Sequence, residues 1–222
     1  MMKKMLQKIS KPIESDLEKF DEFFFNSLLS DVKIINTVIK YIVRKKGKRL
    51  RPRLCLLSAQ MCGQINSNTY KVASLLEILH VATLIHDDVV DESDLRRGWP
   101  SVNRVWKNKL SILIGDYLFS KALTNMADVN SMESVQILAN LASRLSQGEI
   151  LQIEKSLNVD MDENTYFKMI SDKTASLFSA SCKLGALTTI DNEEQINGLS
   201  KFGEFLGQAF QIKDDLFDII GT

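Results

Sequence analysis

The sequence predicts an all-α fold in one domain, and three observations carry that expectation. Apolar residues recur at intervals of three and four rather than alternating, the spacing of one face of a helix. Only 3 prolines and 10 glycines punctuate 222 residues, so long stretches run without a breaker. No linker, internal repeat or low-complexity segment divides the chain, which predicts a single domain over residues 1–222.

The elements follow in order. A first helical stretch runs from Leu17 to Val43. The next covers Pro52 to Cys62, with Pro52 at its first position, where a missing N–H costs nothing. From Tyr70 to Asp91 the residues Val72, Leu75, Leu76, Leu79 and Ala82 keep the helical rhythm, with Ser67, Asn68 and Thr69 available as caps. Four further helices are predicted over Leu110 to Met126, Ser131 to Leu157, Glu163 to Leu187 and Glu193 to Ile220.

Composition narrows the function classes. The chain is 45% hydrophobic and 25% charged, ordinary for a globular protein. Its 28 basic and 28 acidic residues cancel, which removes the bulk-charge argument for nucleic acid or an anionic membrane surface. Cys55, Cys62 and Cys182 are odd in number, lack zinc-site spacing and fall in helical stretches, so they read as reduced core thiols. Lys3, Lys4 and Lys8 are followed by Pro12, Glu14 and Asp16 rather than an apolar run, and no stretch reaches the roughly 20 apolar residues of a membrane span. A cytoplasmic protein without a transmembrane segment is expected.

Two acidic patterns stand out: Asp87-Asp88-Val89-Val90-Asp91 and Asp214-Asp215-Leu216-Phe217-Asp218. At about 100° per residue, Asp87 and Asp91 share a helix face, and Asp214 and Asp218 repeat the arrangement. A solvated helix face is the plain alternative for either copy. Against it, aspartates are poor helix formers, three at this spacing repel one another, and their flanks are apolar (Leu84-Ile85, Val89-Val90, Phe210, Ile212, Leu216). Hard divalent cations such as Mg2+ suit carboxylates that leave positions for water and phosphate oxygens.

Matching cations are present. Residues Arg44 to Arg53, Arg-Lys-Lys-Gly-Lys-Arg-Leu-Arg-Pro-Arg, gather positive charge before a helix N-terminus, a natural seat for a diphosphate. A solvated basic loop or nucleic-acid patch is the alternative. Arg96-Arg97-Gly98 follows the first acidic motif, and Asp172-Lys173-Thr174 offers one more lysine.

Taken together, Gly47-Lys48-Arg49-Leu50-Arg51-Pro52, His80 through Asp91, Arg96-Arg97-Gly98, Gly115-Asp116-Tyr117-Leu118, Asp172-Lys173-Thr174 and Phe210 through Asp218 resemble the ordered motifs of the trans-isoprenyl diphosphate synthases, the polyprenyl synthetases. The resemblance covers nearly everything from Gly47 onward. It implies an antiparallel helical bundle of the isoprenoid synthase type around a central apolar cavity. It also implies that the chain lacks the C-terminal helices expected for the family, including a loop lysine that binds diphosphate.

Residue by residue, the resemblance implies that Lys48, Arg51 and His80 bind isopentenyl diphosphate, with Arg97 assisting. Asp87, Asp91 and Asp214 would hold Mg2+ against an allylic prenyl diphosphate, which Arg96, Lys173, Thr174 and Gln211 would contact. Asp88, Asp215 and Asp218 complete the two metal-binding motifs in weaker or supporting roles. Asp87, Asp91, Lys173 and Asp214 are the catalytic candidates of this set. The implied assembly is a homodimer.

Ala82 and Thr83, just before the first motif, offer no aromatic floor to a growing chain, and in the family this goes with medium-to-long products. A plain packing role for both is the alternative. Three rival readings remain: a His-Asp metal phosphohydrolase suggested by His86-Asp87, although the chain has only 2 histidines; a class I terpene cyclase; and an inactive partner subunit of a synthase.

Overall fold

The computed structural model describes residues 2–44, 47–96, 98–158 and 161–221. These residues are overwhelmingly helical: α1 Met2–Ser10, α2 Glu14–Ser27, α3 Lys33–Arg44, α4 Leu50–Cys62, α5 Ser67–Val90, α6 Val102–Ala127, α7 Met132–Asn158, α8 Glu163–Ile170, α9 Ser176–Leu187 and α10 Glu193–Ile220. A two-residue antiparallel ladder, β1 Leu95–Arg96 with β2 Trp99–Pro100, closes the turn after α5. The all-α expectation holds. No described helix is long and apolar enough to cross a membrane.

By internal packing the chain resolves into two compact units, Met1–Arg53 with Tyr70–Asn130, and Leu54–Thr69 with Ser131–Thr222. In the first, Phe20 and Phe24 of α2 stack at 5.6 Å and are buried with Ile39, Leu75, Leu79 and Leu118. In the second, α9 is buried along almost its whole length, and its Phe178 packs on Phe210 of α10 at 5.4 Å. Cys55 and Cys182 are buried there; the three cysteines are free thiols. Burial pushes both thiols up, Cys182 to about 11, which keeps them protonated and inert.

Several boundaries depart from the periodicity for identifiable reasons. The stretch from Leu17 to Val43 is two helices, because Asn36 folds back at the break: its Oδ1 accepts from the Ser30 N–H at 3.0 Å and its Nδ2 donates to the Ser30 carbonyl at 2.6 Å. The Leu28 and Leu29 carbonyls freed there accept from the Tyr117 hydroxyl at 3.0 and 3.1 Å. The cap of α5 is Asn66, whose Oδ1 receives the N–H groups of Asn68 and Thr69, rather than any of Ser67 to Thr69. Helix α6 begins earlier than Leu110 but breaks at Lys107, where φ is 68°. Pro52 lies two residues inside α4, still in the first turn where its missing N–H is tolerated.

The long predicted helix from Glu163 to Leu187 contains a π-helical turn, Ser171–Ala175, between α8 and α9. Such turns insert a residue into the helical register and recur at functional sites. This one carries Asp172, Lys173 and Thr174.

Candidate active site

In the first unit, α5 carries His80, Ala82, Thr83, Asp87 and Asp88 on consecutive turns, with Asp91 just past its last residue. The Asp91 N–H still donates to the Asp87 carbonyl at 2.8 Å, so the two aspartates are one helical turn apart. Asp87 is half-buried and Asp91 exposed. Asp88 turns inward: it is 2% exposed, and its carboxylate accepts from Arg96 Nε at 2.6 Å. Its backbone carbonyl takes the Asn103 amide at 3.1 Å, locking the turn. Arg97 lies outside the described residues.

The setting of this motif is electrostatically costly. A helix C-terminus carries partial negative charge, so carboxylates there are disfavoured. Asp87, Asp88, Asp91, Glu92 and Asp94 all gather at this end of α5, whose last turn has no basic residue. Arg96 relieves Asp88. A divalent cation at Asp87 and Asp91 would lower the cost further.

Among the described residues no three His, Cys, Asp or Glu side chains converge as a closed metal cage. Mg2+ does not require one, since it is held by one or two carboxylates with waters and phosphate oxygens. A pair of hard oxygen donors one turn apart fits that chemistry.

The basic segment divides its work. Lys48 is exposed, and its carbonyl accepts from Arg53 Nε at 3.0 Å. Arg53 also bonds Ser10 at the end of α1, and burial lowers its pKa against the opposing pull of Asp21. Arg49 faces the interior, 2.9 Å from Glu77 on α5 and stacked 4.5 Å over Phe24. Arg51 is half-buried. A cavity of about 90 Å³ is bordered by Gly47, Arg49, Glu77, His80, Asp88 and Arg96, with apolar wall from Phe24 and Leu84. It thus brings His80 and Arg96 to one space beside the basic segment.

Ala82 is enclosed at 2% exposure, whereas Thr83 is half-buried and ties its hydroxyl to the His80 carbonyl at 2.9 Å. His86 is half-buried, with Nε2 3.2 Å from the Ile112 carbonyl and 3.5 Å from Asp116. Gly115 makes that possible, since a Cβ there would lie 2.1 Å from the His86 ring. His86 and His80 are the chain's 2 histidines, too few for a His-Asp hydrolase centre.

The second unit carries the remaining candidates. The Lys173 ammonium is held by Glu149 at 2.9 Å and Gln152 at 2.8 Å, both on α7. Thr174 donates to Gln211 Oε1 at 2.7 Å, Gln211 donates to Asp215 at 2.8 Å, and the Tyr166 hydroxyl donates to the same carboxylate at 2.5 Å. Burial and that bond push the Tyr166 phenol up to about 12, so it stays a donor. Asp215 is therefore committed to the protein, while Asp214 and Asp218 are exposed on α10.

Beneath the π-turn, Arg144 of α7 joins Asp172 at 2.7 Å to Glu204 of α10 at 2.7 Å. Sequence reading missed Glu77, Arg144, Glu149 and Glu204. Glu77 had a signal: an acid inside the run Leu75-Leu76-Glu77-Ile78-Leu79 needs a buried partner. The others sit on polar helix faces that carry no such mark.

Helix α7 reaches the π-turn through Gly148, where a Cβ would lie 2.6 Å from the Lys173 backbone nitrogen. Gly148→Ala is expected to cost about 1–3 kcal/mol by overpacking against backbone that cannot yield. A melting curve checks it, and an unchanged midpoint would contradict the close approach.

The helical architecture is that of the isoprenoid synthases. It superposes on a polyprenyl synthase from Caulobacter crescentus, solved with calcium and isoprenyl diphosphate, with a TM-score of 0.93 at 34% identity, over 98% of this chain and 66% of that one. The chain belongs to the polyprenyl synthetase family, whose sequence model matches residues 32–222. Among its relatives, an all-trans-nonaprenyl-diphosphate synthase (geranyl-diphosphate specific) of Rhodobacter capsulatus is 37% identical over 96% of this chain and 65% of its own length. Component 2 of a heptaprenyl diphosphate synthase from Geobacillus stearothermophilus is also 37% identical, over 95% of this chain and 66% of its own. The chain thus spans slightly less than two thirds of the length of these relatives.

Proposed function

We propose that this protein is a Mg2+-dependent trans-polyprenyl diphosphate synthase that condenses isopentenyl diphosphate with an allylic prenyl diphosphate. The observation that carries the reading is the Asp87–Asp91 pair, one helical turn apart at the acidic C-terminal end of α5, close in sequence to Arg96 and on the same helix as His80. The nonaprenyl and heptaprenyl relatives support a medium-to-long product. Free cysteines suit a reducing cytoplasm.

Bound Mg2+ would supply Lewis-acid neutralisation of the charge that develops on the allylic diphosphate. Asp87 and Asp91 would hold that metal in the first unit, and Asp214 and Asp218, exposed one turn apart on α10, carry carboxylates in the second. In the first unit Lys48, Arg51 and His80 would fix the diphosphate of isopentenyl diphosphate and Arg96 would donate to an allylic diphosphate; in the second, Lys173, Thr174 and Gln211 carry donors of the kind a diphosphate accepts from. The allylic C–O bond breaks with its electrons leaving on diphosphate, and the alkene of isopentenyl diphosphate forms the new C–C bond. A proton lost from the added unit, taken by the departing diphosphate, restores a neutral alkene. No protein nucleophile is required. Asp88 and Asp215, bonded to Arg96 and Tyr166, would support the motifs.

The test is incubation with Mg2+, labelled isopentenyl diphosphate and farnesyl diphosphate, followed by separation of products by length. Elongation beyond the primer that stops on chelation is expected; no extension in excess Mg2+ contradicts the reading. Thr83→Phe is expected to shorten the product, because Thr83 shares the Asp87 face of α5. Ala82→Phe should also shorten it, but at about 1–3 kcal/mol of overpacking in its enclosed site. Unchanged product length in both variants would remove these positions from length control.

A homodimer is the proposed assembly. The Geobacillus relative's designation as a component favours a second reading, in which the chain works with a different subunit. Light scattering with an activity assay on the isolated chain separates the two: an inactive monomer favours the second.

A further inference from the structure

We propose that Arg49 and Glu77 are positioning residues whose buried ion pair sets where Lys48, Arg51 and His80 meet isopentenyl diphosphate, an inference that rests on the function proposed above. Arg49 has φ of 52°, in the left-handed region. For a bulky non-glycine residue that conformation is strained and persists only where surroundings impose it.

What imposes it is the side chain. Its guanidinium lies 2.9 Å from Glu77, 3.6 Å from Asp21 and 4.5 Å over the Phe24 ring. Glu77 is 7% exposed, among Leu75, Leu76, Ile78 and Leu79, each nearly fully buried. A carboxylate there is stable only with a fixed counter-charge.

The connectivity gives the pair its role. Arg49 follows Lys48 and precedes Arg51 by two residues, so anchoring it fixes the backbone of both. Glu77 precedes His80 by three residues, one helical turn, and therefore lies on the same side of α5. Gly47, Arg49, Glu77 and His80 border one cavity. The Lys48 carbonyl is held from the other direction by Arg53. The exposed Lys48 side chain thus projects from a backbone clamped on both sides.

The test is steady-state kinetics on the full chain with Glu77→Gln and Arg49→Lys, each substrate varied in turn and each variant melted. Glu77→Gln is expected to raise KM for isopentenyl diphosphate about tenfold, with KM for the allylic substrate and kcat changed less than about twofold. Arg49→Lys keeps the charge but not the fork, and is expected to fall between parent and Glu77→Gln. A lowered melting midpoint with both KM values unchanged would show a merely structural pair and overturn the inference, as would equal rises in both KM values. Should Glu77→Gln not fold, Arg49→Lys is read by the same criteria. An active parent with indifferent variants refutes only the positioning role. A parent that neither binds nor elongates isopentenyl diphosphate refutes the function itself, and this inference with it.

Discussion

Asp91→Ala is expected to lower elongation by about a thousandfold or more while leaving the metal-free protein at least as stable as the parent. The two halves of that expectation have one cause. Asp91 is exposed and sits just beyond the last residue of α5 with four other acidic residues nearby. Removing one negative charge from a helix C-terminus stabilises by about 0.3–1 kcal/mol when nothing neutralises it. The same charge is what would hold the cation opposite a leaving diphosphate. A structural carboxylate shows the opposite pattern, with loss of stability and modest loss of rate. Chromatographic product analysis and a melting curve on the same preparation decide between them.

Arg144→Ala is expected to cost roughly 2–4 kcal/mol and to lower the melting midpoint by roughly 5–15 °C. Arg144 joins two part-buried carboxylates, Asp172 on the π-turn and Glu204 on α10, and it also donates to Ser171 at 3.0 Å. Burial disfavours its charge, but the bonds to Glu204 and Asp172 outweigh that and hold its pKa above the ordinary value. Lysine cannot reproduce the fork, so Arg144→Lys should recover only part of the loss.

The same network predicts a pH dependence. Burial raises the Glu204 pKa, yet the hydrogen bonds from Arg144 and Ser171 win and leave it below its ordinary 4.5. A carboxylate depressed on folding contributes stability that is present above its unfolded pKa and lost as pH falls through the folded one. Stability should therefore decline on the acid side below about pH 4.5. Glu204→Gln should flatten that decline while lowering stability at neutral pH. An identical acid limb in the variant would contradict the assignment.

What the sequence made legible was whatever repeats locally. Leu75, Leu76, Leu79 and Ala82 announce α5 by spacing, and the stretch Glu193 to Ile220 matches α10 residue for residue. The two acidic motifs and the basic segment were visible because unlike residues interrupt an apolar rhythm. What spacing could not carry were pairings between distant positions. The break between α2 and α3 depends on Asn36 folding back and on Tyr117, 88 residues or more away, taking up freed carbonyls. The π-turn is stabilised by Arg144 and Gly148 of another helix. The basic run reads as uniform charge, yet Arg49 and Arg53 are turned to the protein while Lys48 is left outward. Only the fold separates those roles.

A metal-dependent diphosphate site formed by the carboxylates and cations around α5, as proposed, is read out by thermal shift with two ligands. Melting is followed with Mg2+ alone, inorganic diphosphate alone, and both together, for the parent and for a variant combining Asp87→Ala and Asp91→Ala. Binding at about a hundredfold above Kd is worth about 2.7 kcal/mol, so both ligands together should raise the parent's midpoint by about 5 °C or more. Neither alone should match this, and the variant should not respond. An equal shift in the variant, or diphosphate acting fully without Mg2+, would contradict the account.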